Sequence, residues 1–239
     1  MTAGFQAFTD TGLYQIDGMT PNYQLVMSAS AASSSTTLLL ARNDAGNPFY
    51  TTLPAVSFTF TANQAPMYGV YAEGGIGITL WNATASGNTY TLTFITEQPC
   101  TVHFFAFDKV PPPSGNFGLQ VFNGNGVLIA DSSRPFLRVL DVIYEEYLPP
   151  GTGWVTTGSP YPTWKSKTYS APVIISAIYS VHVAWSYDPA GVELTSIRVS
   201  GSTVSWGTTM YGGGKTSNFS GFREQYRSRF MVLDGTGIV

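Results

Sequence analysis

The chain has 239 residues, of which 44% are hydrophobic, enough to fill one large domain or two small ones. Only 10% are charged, against about a quarter in ordinary globular proteins, which argues against a surface of solvated helices and favours strands, turns and protein-covered faces. The net charge of −3 excludes a general attraction to nucleic acid, and the single cysteine, Cys100, excludes an internal disulfide.

The first predicted element is a three-stranded β meander. Phe5–Phe8 reads as a strand, Thr9-Asp10-Thr11-Gly12 as a turn, Leu13–Ile16 as the return strand and NYQLV at 22–26 as the third strand. The unit recurs later. GFQAFTDTGLYQID at 4–17 is matched without a gap by GLQVFNGNGVLIAD at 118–131, and the alignment runs on to Val26 and Leu140. Gly4, Gln6, Phe8, Gly12, Asp17 and Pro21 fall on Gly118, Gln120, Phe122, Gly126, Asp131 and Pro135. Gly12 and Gly126 close the two turns because glycine reaches positive φ without a steric cost. The repeat implies a tandem duplication into modules 1–110 and 116–239. They are joined by the Pro-rich KVPPPSGN, whose core at 111–115 cannot enter a central strand.

Between the copies, AASSSTT at 31–37 reads as a polar loop. Strands are predicted at Ala55–Thr61, at Thr89–Thr96 with Tyr90, Leu92 and Phe94 on one face, and at Thr101–Asp108. After the second copy, residues 145–170 hold four prolines and read as a long irregular loop. VIISAIYS and VHVAWSY within 172–187, Leu194–Ser200, Ser202–Trp206 and FMVLD at 230–234 read as strands, and 211–230 as a further irregular stretch. ITEQPCTVHFFAFD and IRVSGSTVSWGTTMY suggest that each module closes on a comparable hairpin, whereas 27–88 and 141–196 do not align. No long stretch has the helical period. The expected fold is all-β, with two tandem antiparallel β-sandwich-like modules carrying long irregular loops.

The catalytic motifs are missing. His103 and His182 sit in apolar strands without further ligands at metal spacing, so both read as locally satisfied histidines. GGGKT at 212–216 has Thr209 where a phosphate loop needs its first glycine, and no helical pattern follows it. Glu145 and Glu146 would point to opposite faces of a strand, so with Asp141 they read as solvated loop acids rather than a glycosidase pair. The chain is therefore expected to be no enzyme and to hold no cofactor or metal. Two stretches look suited to a partner. Trp154, Tyr161, Trp164 and Tyr169 lie in the Pro-rich loop, where they either cover their own sheet or enter an interface, with sugar stacking a third reading. Phe219, Phe222, Arg223 and Tyr226 lie in a locally basic stretch whose alternatives are a partner-binding arm or a solvated loop.

Phe117–Asp141, FGLQVFNGNGVLIADSSRPFLRVLD, resembles the opening of small bacteriophage tail proteins. Those begin with G-[LF]-x-[VI]-[FWY]-N-x-x-G and continue with D-S-x-x-x-x-[LF]-R-[VI]-x-D. The first copy departs from the pattern, with Asp17-Gly18 in place of Asp-Ser and Gln24 at the position of Arg138. The resemblance implies a structural component of a tail tip, baseplate or fibre-attachment region, located in the virion and assembled in the bacterial host cytoplasm. That location agrees with the absence of a basic-then-apolar leader from MTAGFQAFTD and of any apolar run of ~18 residues. The implied partners are other tail or baseplate proteins and copies of itself, as a homo-oligomer for which a trimer is one candidate. A host cell-surface receptor, glycan or protein, is the alternative partner; nucleic acid and membrane insertion are not expected.

Overall fold

The computed structural model describes residues 6–8, 14–17, 22–42, 48–62, 65–109, 118–146, 163–180, 191–212 and 227–239. Before residue 110 these form β1 (Gln6–Phe8), β2 (Tyr14–Asp17), β3 (Tyr23–Ala32), β4 (Ser34–Arg42), β5 (Pro48–Thr61), β6 (Met67–Ala72), β7 (Ile78–Ser86), β8 (Thr89–Thr96) and β9 (Thr101–Lys109). After residue 117 come β10 (Gln120–Phe122), β11 (Leu128–Asp131), β12 (Val139–Glu146), β13 (Lys165–Thr168), β14 (Val173–Ser180), β15 (Gly191–Ser200), β16 (Thr203–Gly212) and β17 (Arg227–Asp234). A 3-10 turn at Glu73–Gly75 is the only helical element among the described residues. The fold is all-β, with two large antiparallel sheets and small hairpins.

The two halves repeat one topology. The six-stranded sheet runs β12-β17-β14-β6-β9-β3 and the seven-stranded sheet runs β13-β16-β15-β7-β8-β5-β4. In each sheet the strands of one half form a contiguous block. β3-β9-β6 corresponds to β12-β17-β14, and β5-β8-β7 to β13-β16-β15. The blocks meet at β6 with β14, where Val70 faces Ile175, and at β7 with β15, where Ile78 faces Ile197. Both meetings are antiparallel and join equivalent strands, the relation that a two-fold axis produces.

The aligned copies agree in fine detail. β1 pairs with β2 as Gln6↔Asp17, Ala7↔Ile16 and Phe8↔Tyr14, and β10 with β11 as Gln120↔Asp131, Val121↔Ala130 and Phe122↔Leu128. Each hairpin carries its register shift at the same aligned place. The bulge between Leu25 and Met27 in β3 recurs between Val139 and Asp141 in β12. In the second hairpin the Asn123 side chain accepts from the backbone N–H groups of Asn125 and Val127, and Gly126 takes φ 74°.

Several expectations are corrected. The third strand does not continue the meander. β1–β2 and β10–β11 are two-stranded on their own, while β3 and β12 leave them to pair with β9 and β17. Residues 31–37 are not a loop, because only Ser33 separates β3 from β4. Its hydroxyl meets Thr96 Oγ1 at 2.8 Å and accepts from the Cys100 backbone N–H, so a serine can turn this buried corner. The closing hairpins are also different. IRVSGSTVSW belongs to β15–β16 and matches β7–β8, whereas Thr101–Lys109 corresponds to β17. The signal was present in the chain: Ser86-Gly87-Asn88-Thr89 and Ser200-Gly201-Ser202-Thr203 are the two turns, with φ 57° at Gly87 and 59° at Gly201.

The core lies between the sheets. Val70, Phe104, Ile175, Phe230 and Val232 from one sheet meet Phe58, Ile78, Phe94, Ile197 and Val204 from the other. Phe58 and Phe104 stack with ring centres 4.7 Å apart. A second cluster, Phe105, Phe107, Ile174 and Leu233, lies on the outer face of the six-stranded sheet, packed with Tyr23, Leu25, Leu137 and Ile238. It is covered where residues 135–138 cross to β3. The backbone N–H of Leu25 donates to Pro135 O and that of Leu137 to Tyr23 O, while Asp234 N–H donates to Arg138 O. Residues 135–138 thus join the edge strand β3 to the end of β17. The Gln24 side chain adds bonds to the Asp131 and Arg134 carbonyls and the Asp131 N–H.

The junction is tight at Gly69 and strained at Ala177. A Cβ on Gly69 would lie 2.3 Å from Ile174 Cδ1. Ala177 has φ 47° in the irregular stretch of β14, where Tyr68 Oη accepts from Ile178 N–H at 3.0 Å. Burial pushes the Tyr68 phenol up to about 12. Gly69→Val is expected to lower unfolding stability by about 1–3 kcal/mol through overpacking. Ala177→Gly is expected to raise it by up to about 1 kcal/mol by removing the left-handed strain. Urea unfolding midpoints at unchanged m-value check both.

Candidate functional site

Two equivalent positions flank the covered centre of the outer face. In the first half, Tyr71 of β6 stands beside His103 of β9, which pairs with Ser30 of β3. The Tyr71 and His103 rings stack at 4.6 Å, and His103 Nε2 meets Glu73 Oε1 at 2.7 Å. The hydrogen bond from His103 holds the Glu73 carboxyl below its usual range. In the second half, Tyr179 of β14 stands beside Arg229 of β17, which pairs with Tyr144 of β12. The Arg229 guanidinium lies 5.3 Å from the Tyr179 ring centre. An aromatic ring against a nitrogen-bearing side chain of the neighbouring strand is thus kept in both halves.

The edge strands differ. Ser28 and Ser30 of β3 align with Val142 and Tyr144 of β12. Val142 is 57% exposed and Tyr144 56%, with Leu140 and Tyr179 also exposed. Large apolar side chains on an edge strand are uncommon without a partner, because such edges invite pairing.

A second constellation ties the seven-stranded sheet across the halves. Glu97, just after β8, accepts two bonds from Arg198 Nη2 (2.8 and 3.0 Å), one from Arg198 Nε and one from Ser196 Oγ. Arg198 then lies 4.0 Å from the Trp164 ring centre. Gly207 makes room for that indole, since a Cβ there would come within 2.6 Å of it. Nearby, buried Glu145 accepts from Trp206 Nε1 at 3.0 Å and Lys165 Nζ at 2.8 Å. Asp141 accepts from Lys167 Nζ, from the Tyr169 hydroxyl at 2.9 Å and from Val142 N–H.

Trp164 and Tyr169 are therefore half-buried parts of their own fold, and β13 runs between them. Trp154, Tyr161, Phe219, Phe222, Arg223, Tyr226 and His182 lie outside the described residues, as do 110–117 and 213–226. Asp141 and Glu145 are not loop acids; they lie in β12 and bridge its inner face to β13 and β16. Sequence reasoning passed over Val142, Tyr144 and Tyr179, and counted Arg229 only among the basic residues of the stretch 211–230 read as irregular, whose ends instead belong to β16 and β17. The available signal was the ungapped alignment extended two to four residues beyond Leu140, where serines give way to Val142 and Tyr144.

Two grooves accompany these features. One, of about 320 Å³, is lined by Tyr71, Glu73, Pro172, Val173, Val199 and Val239 at the junction of the halves. The other, of about 340 Å³, holds Arg134 and Arg138. Arg138 is paired with Asp234 at 3.0 Å, and Arg134 donates to the Leu25 carbonyl. Neither brings a nucleophile and base together, or two carboxylates. Among the described residues no three His, Cys, Asp or Glu side chains converge as metal ligands, and no helix is long and apolar enough to cross a membrane. Cys100 is unpaired in any disulfide, with its sulfur 3.8 Å from Ser33 Oγ.

The constellations define an all-β scaffold in which, among the described residues, β12 is an edge strand with Val142 and Tyr144 exposed. No protein-family model, curated protein or solved structure matches the chain.

The hydrogen bond from Lys167, with those from Tyr169 and Val142 N–H, holds the Asp141 carboxyl below its usual range. Its stabilisation is then fully present above the ordinary aspartate value of about 3.9 and is lost as pH falls through the lower folded value. Asp141→Asn should lower the Tm at neutral pH, and the gap from the native chain should close below about pH 4. Thermal unfolding across pH 2.5 to 7, roughly the range bracketing that titration, checks it.

Proposed function

We propose that the chain is a non-enzymatic structural subunit of a bacteriophage tail tip or baseplate, linking neighbouring subunits or fibres in the virion. The observation that carries the assembly reading is the duplication. Its hairpins, bulges and strand orders agree half to half, while the edge-strand residues have diverged from Ser28 and Ser30 to Val142 and Tyr144. A repeated scaffold with one altered edge suits a subunit that presents different contacts from similar frames. The low charge content suits a surface largely covered by neighbours. The particle type rests on the resemblance of Phe117–Asp141 to tail proteins.

A receptor-binding role through Trp154, Tyr161 and Trp164 is the alternative. Trp164 lends it no support, because its ring packs against Arg198 and Gly207 of its own chain.

Imaging of intact particles from the phage that encodes the chain provides the test. The expected outcome is density for both sheets at the tail tip or baseplate, in contact with neighbouring tail subunits. Absence of the chain from purified particles would sink the virion reading. Its presence only at a free distal tip, with residues 145–170 turned outward, would favour receptor binding.

A further inference from the structure

The turn of the β10–β11 hairpin reads Asn123-Gly124-Asn125-Gly126, two asparagines each followed by glycine. Such pairs are chemically labile, because glycine has no side chain to keep its amide nitrogen from the preceding carboxamide carbon. The first copy carries Thr9-Asp10-Thr11-Gly12 at the aligned positions, with no asparagine. The structure treats the two asparagines differently. The Asn123 carboxamide oxygen accepts from Asn125 N–H at 3.0 Å and from Val127 N–H at 2.9 Å, so that side chain is held over the turn. Asn125 occupies the exposed tip, and Gly126 after it takes φ 74°. Gly126 N–H donates to Asn123 O at 2.9 Å, a bond at the exposed end of a short hairpin. Bonds of that kind open locally while the rest of a fold stays closed.

We infer that Asn125 is a modification site, at which the native hairpin deamidates in preference to Asn123. The Gly126 amide nitrogen gives up its proton to water and attacks the Asn125 side-chain carbonyl carbon. The new N–C bond closes a five-membered imide, and the side-chain nitrogen leaves as ammonia, taking a proton back from water. Water then opens the imide at either carbonyl, giving aspartate or isoaspartate. No oxidant or reductant takes part. Residues 117–130 include no charged side chain, so the product puts a carboxylate where that stretch had none, at a tip flanked by exposed Phe122 and Val127. The root of the hairpin is held elsewhere, by Leu119 N–H on Ser132 Oγ at 2.7 Å and Asp131 N–H on Gln24 Oε1 at 2.8 Å. The change is therefore confined to the tip. This site goes beyond the virion reading, since it concerns the isolated chain and does not depend on the particle.

Peptide mapping by mass spectrometry, with enzymatic methylation of isoaspartate as a second readout, tests the assignment on the full-length chain incubated in warm, mildly alkaline buffer. The expected result is aspartate and isoaspartate at 125, little change at 123, and a rate that rises with pH because the attacking nitrogen must lose its proton. In urea, where the turn bonds are gone, the two asparagines should convert at similar rates. Asn125→Thr, which copies Thr11 of the first copy, should remove the products at 125. Native Asn123 converting as fast as Asn125, or an Asn125 that stays intact in the native chain while it converts in urea, would overturn the proposal.

Discussion

Where Val70 faces Ile175 and Ile78 faces Ile197, equivalent strands of the two halves meet antiparallel, and both sheets become continuous. Backbone pairing at these meetings is sparse, so most of the adhesion falls to side chains. Val70, Ile78, Ile175 and Ile197 are buried in one cluster with Phe94 and Phe104. Half of a sandwich this thin would leave that cluster open along one edge, and joining two halves closes it. The close approach explains why Gly69 lacks a side chain opposite Ile174. It also explains why a left-handed alanine is tolerated at 177: the hydrogen bond from Ile178 N–H to Tyr68 links β14 to β6 at that spot.

Around this junction, the halves are joined a second time in each sheet. In the six-stranded sheet, residues 135–138 run from β3 to β17, and Gln24 anchors them through backbone groups near Asp131. Arg138, which aligns with Gln24, instead pairs with Asp234. One aligned position therefore serves as a bridge between halves in one copy and as an ion pair within its own half in the other. In the seven-stranded sheet, Glu97 of the first half holds Arg198 of the second, and the indole of Trp164 stacks on it. These contacts pair charged residues across strands, while Val142 and Tyr144 stay exposed on the outer face of β12.

Much of this order was legible in the chain. The aligned glycines, Asp17 and Asp131, and the alternation in Thr89–Thr96 reflect local backbone needs: turn geometry, and one buried face per strand. The same locality explains the errors. AASSSTT reads as a loop by composition, but Ser and Thr pack well in strands that face solvent, and Thr36 and Thr37 are exposed in β4. Lys165–Thr168 gives no apolar signal because all four side chains are exposed, and its place is set by pairing with β16. Glu145 looks solvated until Trp206 and Lys165 are brought to it from 61 and 20 residues away.

By itself the sequence determined the class of structure, the duplication, and the hairpin at 120–131 with its turn, because strand alternation and positive-φ glycines act over a few residues; the turn predicted at Thr9–Gly12 lies outside the described residues. Only the tertiary structure decided that β3 leaves its hairpin, that β9 corresponds to β17, and that the halves meet about a two-fold relation. It alone also set Ser28 and Ser30 against Val142 and Tyr144 as corresponding patches of one face. Strand pairing joins residues far apart in the chain, and the partner of an edge is chosen by packing across the whole core, which no local pattern records.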